Sequence, residues 1–165
     1  MFLGNTDCYN TVFNPLKEDA LTHKDEGHYA GKHHYHVTLD QTLTEAIKRR
    51  SSEGKVSCAA AFTVARELKM KPSEVGEALD LLEIKVVKCQ LGLFGYQKRP
   101  RLVVQPAEEV PLELEKALRA GLVNGRLSCA AAWSIAKRFN MPKMTITAAC
   151  ESLKLRLAQC QLGTF

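Results

Sequence analysis

Apolar residues recur at spacing i, i+3, i+4, i+7 in four places along the chain. The sets are Ala61, Val64, Ala65, Leu68; Val75, Ala78, Leu79, Leu82; Ala132, Ile135, Ala136, Phe139; and Ile146, Ala149, Cys150, Leu153. Each set is one buried stripe on an amphipathic helix. A shorter stripe precedes each pair: Leu43, Ala46, Ile47 and Leu114, Ala117, Leu118. Asp40 is a good N-cap for the first helix, and Ser57 and Ser128 for the helices that follow Gly54 and Gly125. Pro72 and Pro142 suit the start of the third helix in each set, because a first-turn N–H has no partner to lose. Ile84–Cys89 is β-branched and partly alternating. It predicts a strand leading into a turn at Gly92, a candidate wing.

The stripes repeat because the chain does. Val56-Ser57-Cys58-Ala59-Ala60-Ala61-Phe62 returns as Leu127-Ser128-Cys129-Ala130-Ala131-Ala132-Trp133. Cys89-Gln90-Leu91-Gly92-Leu93-Phe94 returns as Cys160-Gln161-Leu162-Gly163-Thr164-Phe165. Both matches have one offset of 71 residues with no gap, the mark of a tandem duplication. The chain divides into a His-rich head (1–39), repeat 1 (40–96), a basic, proline-containing linker (97–110) and repeat 2 (111–165). The expected arrangement is an intramolecular pseudo-dimer, with a homodimer of the whole chain left open.

Val64–Leu79 resembles the helix-turn-helix of winged-helix proteins. Ala65 takes the place of that family's small residue in the first helix, Met70 of its apolar turn residue, and Val75 of the buried residue in the recognition helix. The resemblance covers about 55 residues of each copy. It does not extend to the head or to the Cys-Gln-Leu-Gly ending. It implies a mainly α fold with small β wings, built as tandem duplicated winged-helix-like units. It also implies a third helix that enters the major groove of double-stranded DNA.

Charge refines that expectation. The net charge is +5, and residues 111–165 hold eight Lys and Arg against three acids. Cationic contacts to phosphate dominate affinity for DNA. The third helix of repeat 1 shows Ser73, Glu74, Glu77, Asp80 and Glu83 on its polar face, which would repel phosphate. Its counterpart in repeat 2 shows Lys143, Thr145, Thr147, Ser152 and Lys154, with Arg156 just beyond and Lys137 and Arg138 on the preceding helix. Repeat 2 should therefore lead. Repeat 1 would contribute Lys85, Lys88 and the cluster Lys48-Arg49-Arg50, and the linker Lys98, Arg99 and Arg101. The bland reading of these bases is a solvated face. The function expected is non-enzymatic DNA binding, as in transcriptional regulation. The rival is a protein–protein adaptor that presents the acidic helix of repeat 1 to a partner.

All five histidines fall between His23 and His36. His28, His33, His34 and His36 are candidate ligands for zinc or nickel, since His-rich tracts bind such ions. No Cys-x-x-Cys or His-Glu-x-x-His motif supports them. The six cysteines read as small buried thiols, although repeat symmetry pairs Cys58 with Cys129 and Cys89 with Cys160. Phe62/Trp133 and Phe94/Phe165 read as core or inter-repeat packing. No phosphate-binding glycine loop or nucleophile elbow is present, so an enzyme is not expected. No apolar run reaches bilayer length and no signal peptide is visible, so no membrane association and a cytoplasmic location are expected.

Overall fold

The computed structural model describes residues 27–33, 39–96 and 103–164. The two repeats share one element order, except that repeat 2 has an extra short strand after its first helix. Repeat 1 runs α1 (Gln41–Arg50), β1 (Lys55–Ser57), α2 (Cys58–Glu67), α3 (Pro72–Leu81) and β2 (Lys85–Val87). Repeat 2 runs α4 (Leu112–Ala120), β3 (Leu122–Val123), β4 (Arg126–Ser128), α5 (Cys129–Arg138), α6 (Lys143–Ser152) and β5 (Arg156–Ala158). The fold is mainly α with small β elements.

The caps are those the sequence predicts. Leu43 donates its N–H to Asp40 Oδ1 at 2.8 Å, Ala60 to Ser57 Oγ at 3.2 Å and Ala131 to Ser128 Oγ at 3.1 Å. Pro72 opens α3, while Glu74 reaches back to accept the Lys71 N–H at 2.6 Å. Each cap satisfies a donor that the first helical turn would otherwise leave open.

The sheets depart from a wing. β2 pairs in parallel with β1, in register Lys55↔Lys85, Val56↔Val86, Ser57↔Val87. β5 pairs in parallel with β4, in register Arg126↔Arg156, Leu127↔Leu157, Ser128↔Ala158. A parallel pair needs a crossover, which the two intervening helices supply. Among the described residues no further strand follows β2 within repeat 1 or β5 within repeat 2, so neither repeat has a hairpin after its third helix. The turn at Gly92 instead folds Cys89–Phe94 onto itself: Gly92 donates to Cys89 O at 2.9 Å and Cys89 to Phe94 O at 3.1 Å. The hairpin of repeat 2 lies earlier, between β3 and β4. It turns at Asn124-Gly125, both with positive φ, as a two-residue turn of matching twist requires.

One continuous core serves both repeats. Val64, Val75 and Leu79 of repeat 1 and Leu118, Leu127 and Ile146 of repeat 2 are fully buried members of a single cluster. At the junction Phe62 stacks on Trp133, their ring centroids 4.4 Å apart. α3 also passes so near the end of repeat 2 that a Cβ on Gly76 would stand 1.9 Å from Leu162 O. Val104 of the linker is buried and lies beside Gly92.

Candidate nucleic-acid interface

The recognition-helix reading depends on an open third helix, and in both repeats that helix is largely covered. α3 carries a strap. Residues Tyr29–Lys32 form a single 3-10 turn, with Tyr29 buried. The N–H groups of Tyr29 and Ala30 both donate to the Glu83 carboxylate at 3.0 Å. His33 Nε2 lies 3.1 Å from Asp80 Oδ2 and Nδ1 3.7 Å from Glu77 Oε1, with Lys32 Nζ 3.8 Å from Asp80. The acidic face offered to a partner protein is thus engaged by the chain's own segment. Burial pushes the Asp80 carboxyl above its ordinary range, against the pull of His33 and Lys32.

α6 is crossed by the linker. Ala107 donates its N–H to Ala148 O at 3.0 Å and accepts the Ser152 hydroxyl. Thr147, read from the sequence as part of the exposed reading face, is 2% exposed, and its Oγ1 has no hydrogen-bond partner among the described residues. It is the counterpart of Gly76, which packs tightly against the other repeat. At Gly76 it is the other repeat that occludes this helix face. Lys143 is half-buried. Its Nζ donates to Gln90 Oε1 of repeat 1 at 2.6 Å and sits 3.8 Å over the Trp133 ring. Of the predicted α6 set, Thr145 remains exposed, as does Lys154 just after the helix.

The strands collect cations that the helices do not. Lys85 and Arg156, both predicted, occupy equivalent places at the start of β2 and β5. Parallel register sets Lys55 beside Lys85 and Arg126 beside Arg156. Side chains at paired positions project from the same face of a sheet. Two like charges so placed repel one another. The duplication keeps all four positions basic while Glu83, Asp80 and Glu77 meet Lys154, Glu151 and Ala148 in the other copy. Lys55 and Arg126 were missed because the strands before the second helices were missed; the Asn124-Gly125 dipeptide was the signal that marks one of them. Lys88, Lys137, Arg138, Lys154, Arg126 and Arg156 are exposed. Arg138 lies over the Phe139 ring at 5.4 Å. Lys98, Arg99 and Arg101 lie outside the described residues.

Opposite each cation pair, just past the far end of the strands, stand two thiols. Cys58 and Cys89 follow β1 and β2, and Cys129 and Cys160 follow β4 and β5. Burial pushes the Cys58 thiol up to about 11, with the nearby Cys89 and Cys160 adding to the effect. Burial likewise raises Cys89 and Cys129, which also feel Cys160. The four thiols therefore lie within electrostatic reach of one another, and the cation pairs lie at the opposite ends of the strands. The Gln90 and Gln161 amides approach Cys58 Sγ at 3.9 Å and Cys129 Sγ at 3.5 Å. Among the described residues no group of three or more His, Cys, Asp or Glu is placed to hold a metal ion. His33 is spent on the strap and His28 is exposed, while His34 and His36 lie outside the described residues.

No family model matches the chain, and neither the curated proteins nor the solved structures yield a significant match. No helix among the described residues is long and apolar enough to cross a membrane.

Proposed function

We propose that the protein is a non-enzymatic DNA-binding protein, serving transcription regulation, whose contacts to duplex phosphate come from the strand ends and not from a reading helix. The observation that supports this is the pair of in-register like charges in each repeat, Lys55/Lys85 and Arg126/Arg156. Two cations set side by side at one place in each repeat suit contact with a polyanion, whose phosphates supply most of the affinity. Repetition of the pair in both repeats parallels the way dimeric DNA-binding proteins place equivalent groups on two half-sites. Lys154 extends the set in repeat 2. The adaptor reading loses its main support, because Glu77, Asp80 and Glu83 already have partners within the chain.

The test is a salt titration of duplex binding by the full chain, read as anisotropy of a labelled duplex. Affinity should fall steeply with salt. Arg126→Gln with Arg156→Gln should reduce the slope of log affinity against log salt by about 2, roughly one per lost phosphate contact. Lys55→Gln with Lys85→Gln should act similarly. Absence of binding at low salt, or a slope that neither pair changes, rejects the proposal.

A further inference from the structure

Between α5 and the C-terminal turn of repeat 2 lies an open cleft of about 470 Å³, lined by Ala130, Trp133, Ser134, Lys137, Lys143 and Gln161. Two ammonium groups line it and no acid does. The Lys143 ammonium is held in place from two sides, by Gln90 Oε1 at 2.6 Å and by the Trp133 ring at 3.8 Å. An ammonium has three donors, so a further one remains for a ligand. Trp133 adds an indole whose Nε1 is buried without a partner among the described residues. The duplication does not repeat this feature: the counterpart of Lys143 is Pro72, which carries no charge. The cleft belongs to repeat 2 alone, and none of the paired strand cations lines it.

We propose that this cleft binds a small phosphomonoester. Two lysines act as point charges and suit a phosphate better than a planar carboxylate, which favours the arginine fork. A phosphomonoester carries about −1.5 to −2 at neutral pH, which matches two ammoniums. The volume lies within the range of small-molecule sites and exceeds what a bare phosphate fills, so an organic group is accommodated beside it. Bound phosphate takes Lys137 and Lys143 together. Because Lys143 also holds Gln90, occupancy bears on the contact between the repeats.

Trp133 is the only tryptophan in the chain, so its fluorescence reports on the cleft directly. The full chain is titrated at constant ionic strength with inorganic phosphate, adenosine 5′-monophosphate, adenosine and a short DNA duplex. A saturable change is expected with a phosphate-bearing small molecule and not with adenosine. Lys137→Gln and Lys143→Gln should each weaken it about tenfold or more, the size of one lost charge-assisted hydrogen bond. Lys137 is exposed, so its variant folds whatever Lys143→Gln does. No saturable change with either phosphate probe, an equal response to adenosine, full retention in Lys137→Gln, or a response to the duplex alone would each overturn the proposal. The paired-cation reading of DNA binding is judged separately by the salt titration.

Discussion

Phe62 and Trp133 occupy the same position in the two repeats, and they stack on each other with ring planes tilted by 38°. A residue that touches its own repeat mate lies where the two repeats join. The equivalent helices α2 and α5, which carry the two rings, therefore meet at the junction of the repeats.

Truncation there should be felt by both halves. Phe62→Ala and Trp133→Ala should each cost about 3 kcal/mol in urea unfolding. In a double-mutant cycle the pair should show coupling of about 1 kcal/mol, the part of an aromatic contact beyond buried area. A coupling near zero would show that the rings do not meet in solution.

Gly76→Ala should be among the most damaging single substitutions. The added methyl would meet the Leu162 carbonyl and backbone carbons, which cannot swing aside as a side chain can. Forced overpacking against backbone should cost about 3 kcal/mol. Thermal unfolding of this variant measures it, and a change under about 0.5 kcal/mol would contradict the close approach.

The strap should be separable from the rest. Glu83→Ala removes the acceptor of two backbone N–H groups and should free Tyr29 and Ala30. Amide hydrogen exchange at those two residues should accelerate, while Val64 and Leu79 in the core keep their protection. The stability cost should be modest, about 1–2 kcal/mol, since the strap is a peripheral turn.

Burial holds the Glu151 carboxyl above its ordinary range. The folded state then keeps a proton that the unfolded chain has released, and stability falls as pH rises through that interval. Glu151→Gln should therefore stabilise the protein at pH 7 and leave it unchanged well below about pH 4, where the unfolded carboxyl is protonated too. Denaturant titrations at the two pH values provide the comparison; equal effects at both would count against the buried carboxylate.

Thiol chemistry gives a further check. Burial raises Cys58 to about 11 and Cys150 to about 12, and also raises Cys89 and Cys129. Since the thiolate is the reactive form, Cys58 and Cys150 should alkylate about a hundredfold or more slowly than an exposed thiol at pH 8, and Cys89 and Cys129 should also be slowed. Mass spectrometry should find label on half-buried Cys160 before any of them, and on all after unfolding.

The helices were legible because their signals are local. Asp40, Ser57 and Ser128 cap within three residues, and each stripe spans two turns. The strands were less so: β1 and β4 have three residues each and pair across two helices. β2 is legible as a strand, but the sequence points it into a wing turn at Gly92 and not to β1, because parallel pairing leaves no nearby turn to announce it. Of the candidate site, Lys85 and Arg156 were found and their mates Lys55 and Arg126 were not. Thr147 was misplaced for a different reason. It sits beside the stripe Ile146, Ala149, Cys150, and a single repeat gives no cause to bury it. The strap on α3 joins residues 47 to 54 positions apart, a distance at which sequence pattern carries no information.

Gly76 and Thr147 are twins by descent that no longer resemble each other. In a dimer of two identical chains every such substitution appears twice and must suit both sides of the interface at once. Fusion into one polypeptide removes that demand: one twin can shrink to hydrogen while the other keeps a hydroxyl. Specialisation of the halves, acid-rich in one and acid-poor in the other, is what a covalently joined pair permits and a symmetric one forbids.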